Sequence, residues 1–161
     1  DDWEALPRFQ KWFIQESKWN LLAEHFYIVK SKKRCWKCDV NTAITAFLLE
    51  EYFSLEEIDV EDQTLLSWVK EKNRTYVSDI VYIDFSALKE MTDRNANYKK
   101  RYSQTVRGSY YANCCQSCGA LQGDFHLYHE PDSPFFNPHM TLKSELIRRD
   151  FRAKGSISYT I

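Results

Sequence analysis

The stretches Cys35-Trp36-Lys37-Cys38 and Cys115-Gln116-Ser117-Cys118 decide how this chain is read. Each is a C-x2-C pair, whose two-residue spacer lets both sulfurs of a tight turn converge on one ion. Together the pairs supply the four thiolates of a tetrahedral zinc site. Gly119 follows the second pair and suits the tight backbone of such a knuckle. Cys35, Cys38, Cys115 and Cys118 are therefore the candidate ligands of one zinc ion. Four protein ligands leave no position for water or substrate, so the ion is expected to be structural and not catalytic.

Five cysteines in a secreted protein would be read as two disulfides and a spare thiol, but paired C-x2-C spacing without a signal peptide favours metal. Cys114 competes with Cys115 for the ligand role. Only Cys115 reproduces the two-residue spacer, which leaves Cys114 as a buried small apolar residue. Lys32, Lys33, Arg34 and Lys37 stand where they can offset the roughly two negative charges that four thiolates leave around a divalent ion; a merely solvated basic turn is the plainer alternative. A clamp between these pairs closes a long loop, at roughly 4 kcal/mol of chain entropy. Structural zinc contributes about 10 to 16 kcal/mol of apparent binding energy, which easily offsets that closure.

Outward from the knuckles, the pattern predicts a strand over residues 25–29 and another over 41–49, a hairpin carrying the first cysteine pair. The acidic residues 50–62 read as a solvated loop and residues 64–72 as a short helix. Residues 79–85 read as a central strand, followed by a helix capped by Ser86 and carrying Leu88 and Met91. Residues 109–113 form the strand that delivers the second knuckle, and 120–128 begin a helix. Pro131, Pro134 and Pro138 mark a stiff loop, residues 142–151 a further helix, and 156–161 a terminal strand. At the start, Phe9, Trp12, Phe13 and Glu16 have helical spacing over residues 8–17 after Pro7. The expected fold is α+β: a mixed, largely antiparallel sheet with flanking helices and a zinc-ribbon-like or treble-clef-like site. One domain spans 1–161, with an aromatic N-terminal helical segment at 1–20 and a C-terminal helix and strand tail at 139–161.

The chain has 161 residues, 43% of them hydrophobic and 16% aromatic, enough for one domain with a substantial core. Lys and Arg number 22 against 23 Asp and Glu, so the net charge of −1 gives no global attraction to nucleic acid or to an anionic membrane. No apolar run approaches the roughly 20 residues of a membrane span, and the start has no signal-peptide pattern. A soluble, cytoplasmic protein is the expectation. The opening Asp1-Asp2, without Met, reads as a piece cut from a longer protein.

The strings Arg34-Cys35-Trp36-Lys37-Cys38, Tyr111-Ala112-Asn113, Cys115-Gln116-Ser117-Cys118-Gly119-Ala120-Leu121-Gln122-Gly123-Asp124-Phe125 and Glu130-Pro131 resemble an uncharacterised family of bacterial four-cysteine zinc-binding proteins. The resemblance spans roughly residues 20–136. It implies zinc ligation by Cys35, Cys38, Cys115 and Cys118 and a bacterial source, and it implies no activity. Where that family often carries histidine this chain has Cys114, a further sign that Cys114 is not an essential ligand.

Three functional readings follow. The leading one is a non-enzymatic, zinc-stabilised binding or scaffold module that contacts a protein partner or a neighbouring domain, with Trp3, Trp12, Phe13 and Trp19 as candidate contact aromatics; burial in the core is their commoner fate. The second is nucleic-acid binding through Lys32, Lys33, Arg34, Lys99, Lys100 and Arg101, with tyrosines available for stacking and Arg148-Arg149 as a third basic segment. The third is a hydrolase or nuclease using Asp124, His126 and His129, with Glu130, Asp79 and Asp84 nearby. His126 and His129 also fit ordinary helix histidines. No G-x-S-x-G, Walker A, H-E-x-x-H or dinucleotide fingerprint is present, and four glycines offer little phosphate-cradling loop.

Overall fold

A computed structural model describes residues 18–130, 132–136 and 142–159. The expected helix at 8–17, together with Trp3, Trp12 and Phe13, lies outside the described residues. Of the described residues 56% are in strands and 11% in two helices. The strands are β1 (Leu21–Ala23), β2 (Phe26–Arg34), β3 (Asn41–Leu49), β4 (Tyr52–Val60), β5 (Gln63–Glu71), β6 (Thr75–Ile83), β7 (Tyr98–Ser103), β8 (Gly108–Cys114), β9 (Leu121–Gln122), β10 (Lys143–Ile147) and β11 (Phe151–Tyr159). The helices are α1 (Phe85–Arg94) and α2 (Asp124–Tyr128).

This corrects the α+β expectation: the fold is mostly β, a curled half-barrel whose ladders are all antiparallel. Three segments account for the difference. Residues 50–62 are not a loop and 64–72 not a helix, because β4 and β5 pair along their whole lengths, from Tyr52↔Glu71 to Val60↔Gln63. Each strand pairs the inward-facing half of the other's backbone groups, which a solvated loop would leave to water. Residues 142–151 are β10 and the start of β11, because Lys143–Ile147 pairs with the open edge of β2. The turn between β4 and β5 has both central residues left-handed, Glu61 at φ 48° and Asp62 at φ 63°. That is the type I′ geometry a two-residue hairpin needs.

The strands run in the order β10-β2-β3-β6-β11-β1-β4-β5, with β8 pairing β6 and joining β7 and β9. β3 is buried on both faces, which explains its nearly continuous apolar sequence. Phe47 and Leu49 enter one core with Phe26, Tyr52, Ile80, Phe151 and, from α1, Ala87 and Met91. Ile44, Ala46 and Leu48 enter a second with Val29, Tyr76, Phe135 and, from α2, Leu127 and Tyr128. The rings of Phe26, Phe47 and Phe151 pack at centroid distances of 5.2 to 5.6 Å. Trp19 is buried with Leu22, Phe53 and Trp68 in a third cluster, so this aromatic is core and not contact surface.

α1 carries Leu88 and Met91 as expected, but Asp84 caps it in place of Ser86. One Asp84 carboxylate oxygen accepts from the Ala87 N–H at 3.0 Å and the other from the Arg152 N–H at 2.8 Å. The cap thereby ties the helix to β11, which a serine at position 86 would not reach. β3 and β8 are joined through side chains: Asn113 Oδ1 accepts from the Thr45 N–H at 2.8 Å, and its amide donates to the Thr45 carbonyl at 2.9 Å. Asn95 donates to both Asn113 Oδ1 and Thr45 Oγ1, each at 3.0 Å. This buried network fixes β8, and hence the second knuckle, against the hairpin that carries the first.

Candidate metal centre

The first knuckle caps the β2–β3 hairpin and the second joins β8 to β9. They are built alike. The Cys35 N–H donates to the Val40 carbonyl and the Asp39 N–H to the Cys35 carbonyl; Cys115 with Ala120, and Gly119 with Cys115, repeat the pattern. The Lys37 N–H points at Cys35 Sγ and the Ser117 N–H at Cys115 Sγ, each at 3.4 Å. Both turns close on a left-handed residue, Gly119 at φ 75° and Asp39 at φ 62°. Glycine takes that conformation without strain, whereas the aspartate is one of the few side chains that tolerate it. Asp39 is further held by an ion pair with Arg34 at 3.0 Å.

The two knuckles face each other. Cys35 Sγ lies 3.6 Å from Cys118 Sγ and Cys38 Sγ 3.6 Å from Cys115 Sγ. All four sulfurs fall within 4.8 Å of one another, and among the described residues no other cluster of ligating side chains does so. Zinc–thiolate bonds of about 2.3 Å place tetrahedral sulfurs about 3.8 Å apart, so the donor set and its spacing fit one metal ion. All five cysteines are free thiols. Cys114 is fully buried beside the centre and outside it, in contact with the Arg101 guanidinium.

The electrostatics call for a cation. Burial resists ionisation of Cys35, yet the N–H groups of Cys38 and Lys37, with Cys118 and Gln122, bring its thiol down to about 6. Cys115 is also lowered, chiefly by the Cys118 N–H, with burial opposing. Cys38 moves the other way, to about 11: the Val40 N–H favours its thiolate, but burial and the three other sulfurs outweigh it. Backbone donors thus favour the thiolate at Cys35 and Cys115, while the neighbouring sulfurs hold the proton on Cys38, a balance that a divalent ion bound among the four would shift toward thiolate. Contacts beside the sulfurs align the knuckles independently of metal. Trp36 Nε1 donates to the Leu121 carbonyl at 2.7 Å, the Gln116 N–H to Thr42 Oγ1 at 3.0 Å, and Gln122 Nε2 to Cys35 Sγ at 3.3 Å.

The basic residues proposed for nucleic acid lie on two strands, Lys32, Lys33 and Arg34 on β2, which leads into the first knuckle, and Lys99, Lys100 and Arg101 on β7, which pairs with β8. Arg34 is ion-paired as described, and Arg101 donates to the Gly119 carbonyl at 3.1 Å. Lys100 reaches the Val81 carbonyl at 3.3 Å and sits over the rings of Tyr82 and Tyr111. Lys33 is half-buried, which lowers its pKa, while Glu130 and Cys35 pull it back up.

Asp124, His126 and His129 do converge. They line one cavity of about 500 Å³ with Asp79 and Trp36. Asp124 opens α2 and is 5% exposed. Burial pushes its carboxyl up to about 8, Asp79's charge adding to this against the Asp79 N–H, which donates to Asp124 Oδ2 at 2.7 Å. His126 Nδ1 pairs with Glu130 at 2.8 Å. Asp84, by contrast, serves as a helix cap. Sequence reasoning missed Tyr102 and Tyr110 as cavity walls and Gln122 as a donor to a ligand sulfur; all three depend on strand pairings that leave no local motif.

Fold and site define a β-sheet protein with a four-cysteine candidate metal centre between two knuckles. Compared with known proteins, the chain matches no family model, no curated sequence and no solved structure. The four-cysteine cluster is the part of the family resemblance that the geometry bears out. No helix among the described residues is long and apolar enough to cross a membrane.

Proposed function

We propose that this chain is a zinc-stabilised binding module: zinc on Cys35, Cys38, Cys115 and Cys118 clamps the β2–β3 hairpin to the turn between β8 and β9, and the outer part of the β4–β5 hairpin docks on a protein partner. Zinc is favoured over other divalent ions because four thiolates in a closed tetrahedral set suit its softness and its indifference to geometry. Iron, the other metal of four-sulfur sites, is distinguished by its colour and redox activity.

The observation that carries the docking is the arm itself. Residues 56–66 are exposed on both faces, and beyond its base the hairpin pairs with no other strand among the described residues. It nevertheless displays Ile58, Val60, Leu65 and Leu66, the last 62% exposed. An isolated two-stranded ribbon is marginal in water, and apolar side chains on an open strand edge invite pairing with another chain. Glu56, Glu57, Asp59, Glu61 and Asp62 make the tip acidic, so the partner offers a basic rim around an apolar strip. A photo-crosslinker at Leu66, read in the native cell, is expected to trap one discrete protein, lost when Ile58 and Leu65 become lysine. A pattern identical to that from a probe at Lys89 on α1 would refute it.

A hydrolase reading has one supporting observation, the meeting of Asp124, His126 and His129 in one cavity. The same cavity disfavours a nuclease, because among its described lining residues there is no Lys or Arg for a phosphate. Loss of a detected activity on replacing both histidines would support it, and retention would remove it.

A further inference from the structure

Asp79 lies inside β6, where an extended residue is expected, yet its φ is +51°. The ladder breaks beside it: between β6 and β11 the register shifts at Lys154/Ser156, with Gly155 opposite. A Cβ on Gly155 would stand 3.0 Å from the Ser78 carbonyl oxygen, so the close approach needs the glycine. Through this bulge the Asp79 N–H turns to the buried Asp124 carboxyl, and Asp79 itself lines the cavity. A left-handed, non-glycine residue inside a strand is uncommon, although aspartate is among the side chains that tolerate it, and bulges of this kind re-aim side chains beside functional sites.

The cavity's chemistry is one-sided. At about 500 Å³ it has the size of a small-molecule site. Two acids, Asp79 and Asp124, line it, and among its described lining residues there is no Lys or Arg. Of its two histidines, His126 and His129, the first is joined to a carboxylate, Glu130. The Asp79 carboxylate accepts from the Ser78 hydroxyl at 3.3 Å and is half-buried, so it is accessible from the cavity. The walls are aromatic. Trp36 is 65% exposed but does not swing freely, because its indole N–H is held by the Leu121 carbonyl from the other knuckle. Tyr102, 62% exposed, and the buried Tyr110 complete them. Aromatic rings beside a carboxylate attract a positive charge on an apolar body and repel an anion.

We propose that this cavity binds a small organic cation, an amine or guanidine on a flat or apolar body, with Asp79 as the anchor and Trp36 and Tyr102 as the ring walls. The site is separate from the hairpin arm; it shares the cavity of the hydrolase reading but needs no catalysis, so binding of a cation without turnover stands apart from both readings.

The test is calorimetric titration of the full chain with three probes of one shape: tryptamine (cation), tryptophol (neutral) and indole-3-propionate (anion). Tryptamine is expected to bind tightest and indole-3-propionate weakest. Asp79→Asn, which retains tolerance of the left-handed backbone, should weaken tryptamine about tenfold and leave tryptophol unchanged. Tyr102→Ala, at an exposed position, should weaken tryptamine and tryptophol alike. Circular dichroism and metal content establish that each variant is folded. Equal affinity for the three probes, an unaltered preference in Asp79→Asn, or no binding of tryptamine at about 5 mM would overturn the proposal.

Discussion

Asp124→Asn tests the electrostatics of the cavity beside the candidate metal centre without touching any of the four cysteines. In the folded chain the Asp124 carboxyl titrates at about 8, against 3.8 for the ordinary side chain, chiefly because it is buried. Between those values the unfolded chain is ionised at Asp124 while the folded chain keeps the proton. The folded state therefore binds one more proton, and stability falls as pH rises. The contribution is complete below pH 4 and is lost as pH climbs through 8. Each pH unit in the window is worth about 1.4 kcal/mol, so from pH 5 to 7 the wild type should lose about 2.7 kcal/mol that an asparagine, which does not titrate, retains. Asparagine also keeps a carbonyl oxygen for the Asp79 N–H. Urea unfolding of both proteins in zinc-buffered solution at pH 5, 6, 7 and 8 reads the difference between them, which cancels any titration of the cysteines. The stability difference should move steadily in favour of Asp124→Asn up to pH 8 and level off above it. A difference that stays constant from pH 5 to 7 would refute the reasoning, because it would mean that Asp124 is already ionised in the folded chain.

Three further outcomes follow from the fold. Asn113→Ala removes the partner of both the Thr45 N–H and the Thr45 carbonyl, so it should cost about 3 kcal/mol in urea unfolding, and a loss below about 1 kcal/mol would contradict the network. Replacing Glu61-Asp62 by Asn-Gly should raise stability by about 1 kcal/mol, read as a higher melting temperature, since both positions are left-handed. Gly155→Ala should destabilise by about 1 to 3 kcal/mol, measured the same way, because the new methyl meets the Ser78 carbonyl at 3.0 Å.

How far the sequence could be read depended on how local each signal was. The knuckles were legible because two sulfurs three residues apart and a turn residue are contained in one short string. The strand Asn41–Leu49 was legible because burial on both faces leaves a continuous β-branched and apolar run. The β4–β5 hairpin was not. Its outer half is exposed on both faces, so alternation is lost, Leu65-Leu66 beside Trp68 mimics a helix face, and the acidic turn carries neither Asn nor Gly. β10 was hidden for another reason: its partner is β2, more than a hundred residues earlier. Cys114 was placed correctly by spacing alone, whereas the capping role of Asp84 needed knowledge that β11 lies beside it. Asp79 and the histidines were recognised as chemistry-bearing residues, but the bulge opposite Gly155 and the rings around the cavity come from pairing and have no sequence signature.

The most direct measurement of the central claim is metal content by plasma mass spectrometry on untagged protein, beside a variant carrying Cys115→Ser and Cys118→Ser. About one zinc per chain, lost in the variant together with cooperative folding, is the predicted result. A wild-type chain that folds without metal, with its cysteines free or oxidised, would contradict the clamp.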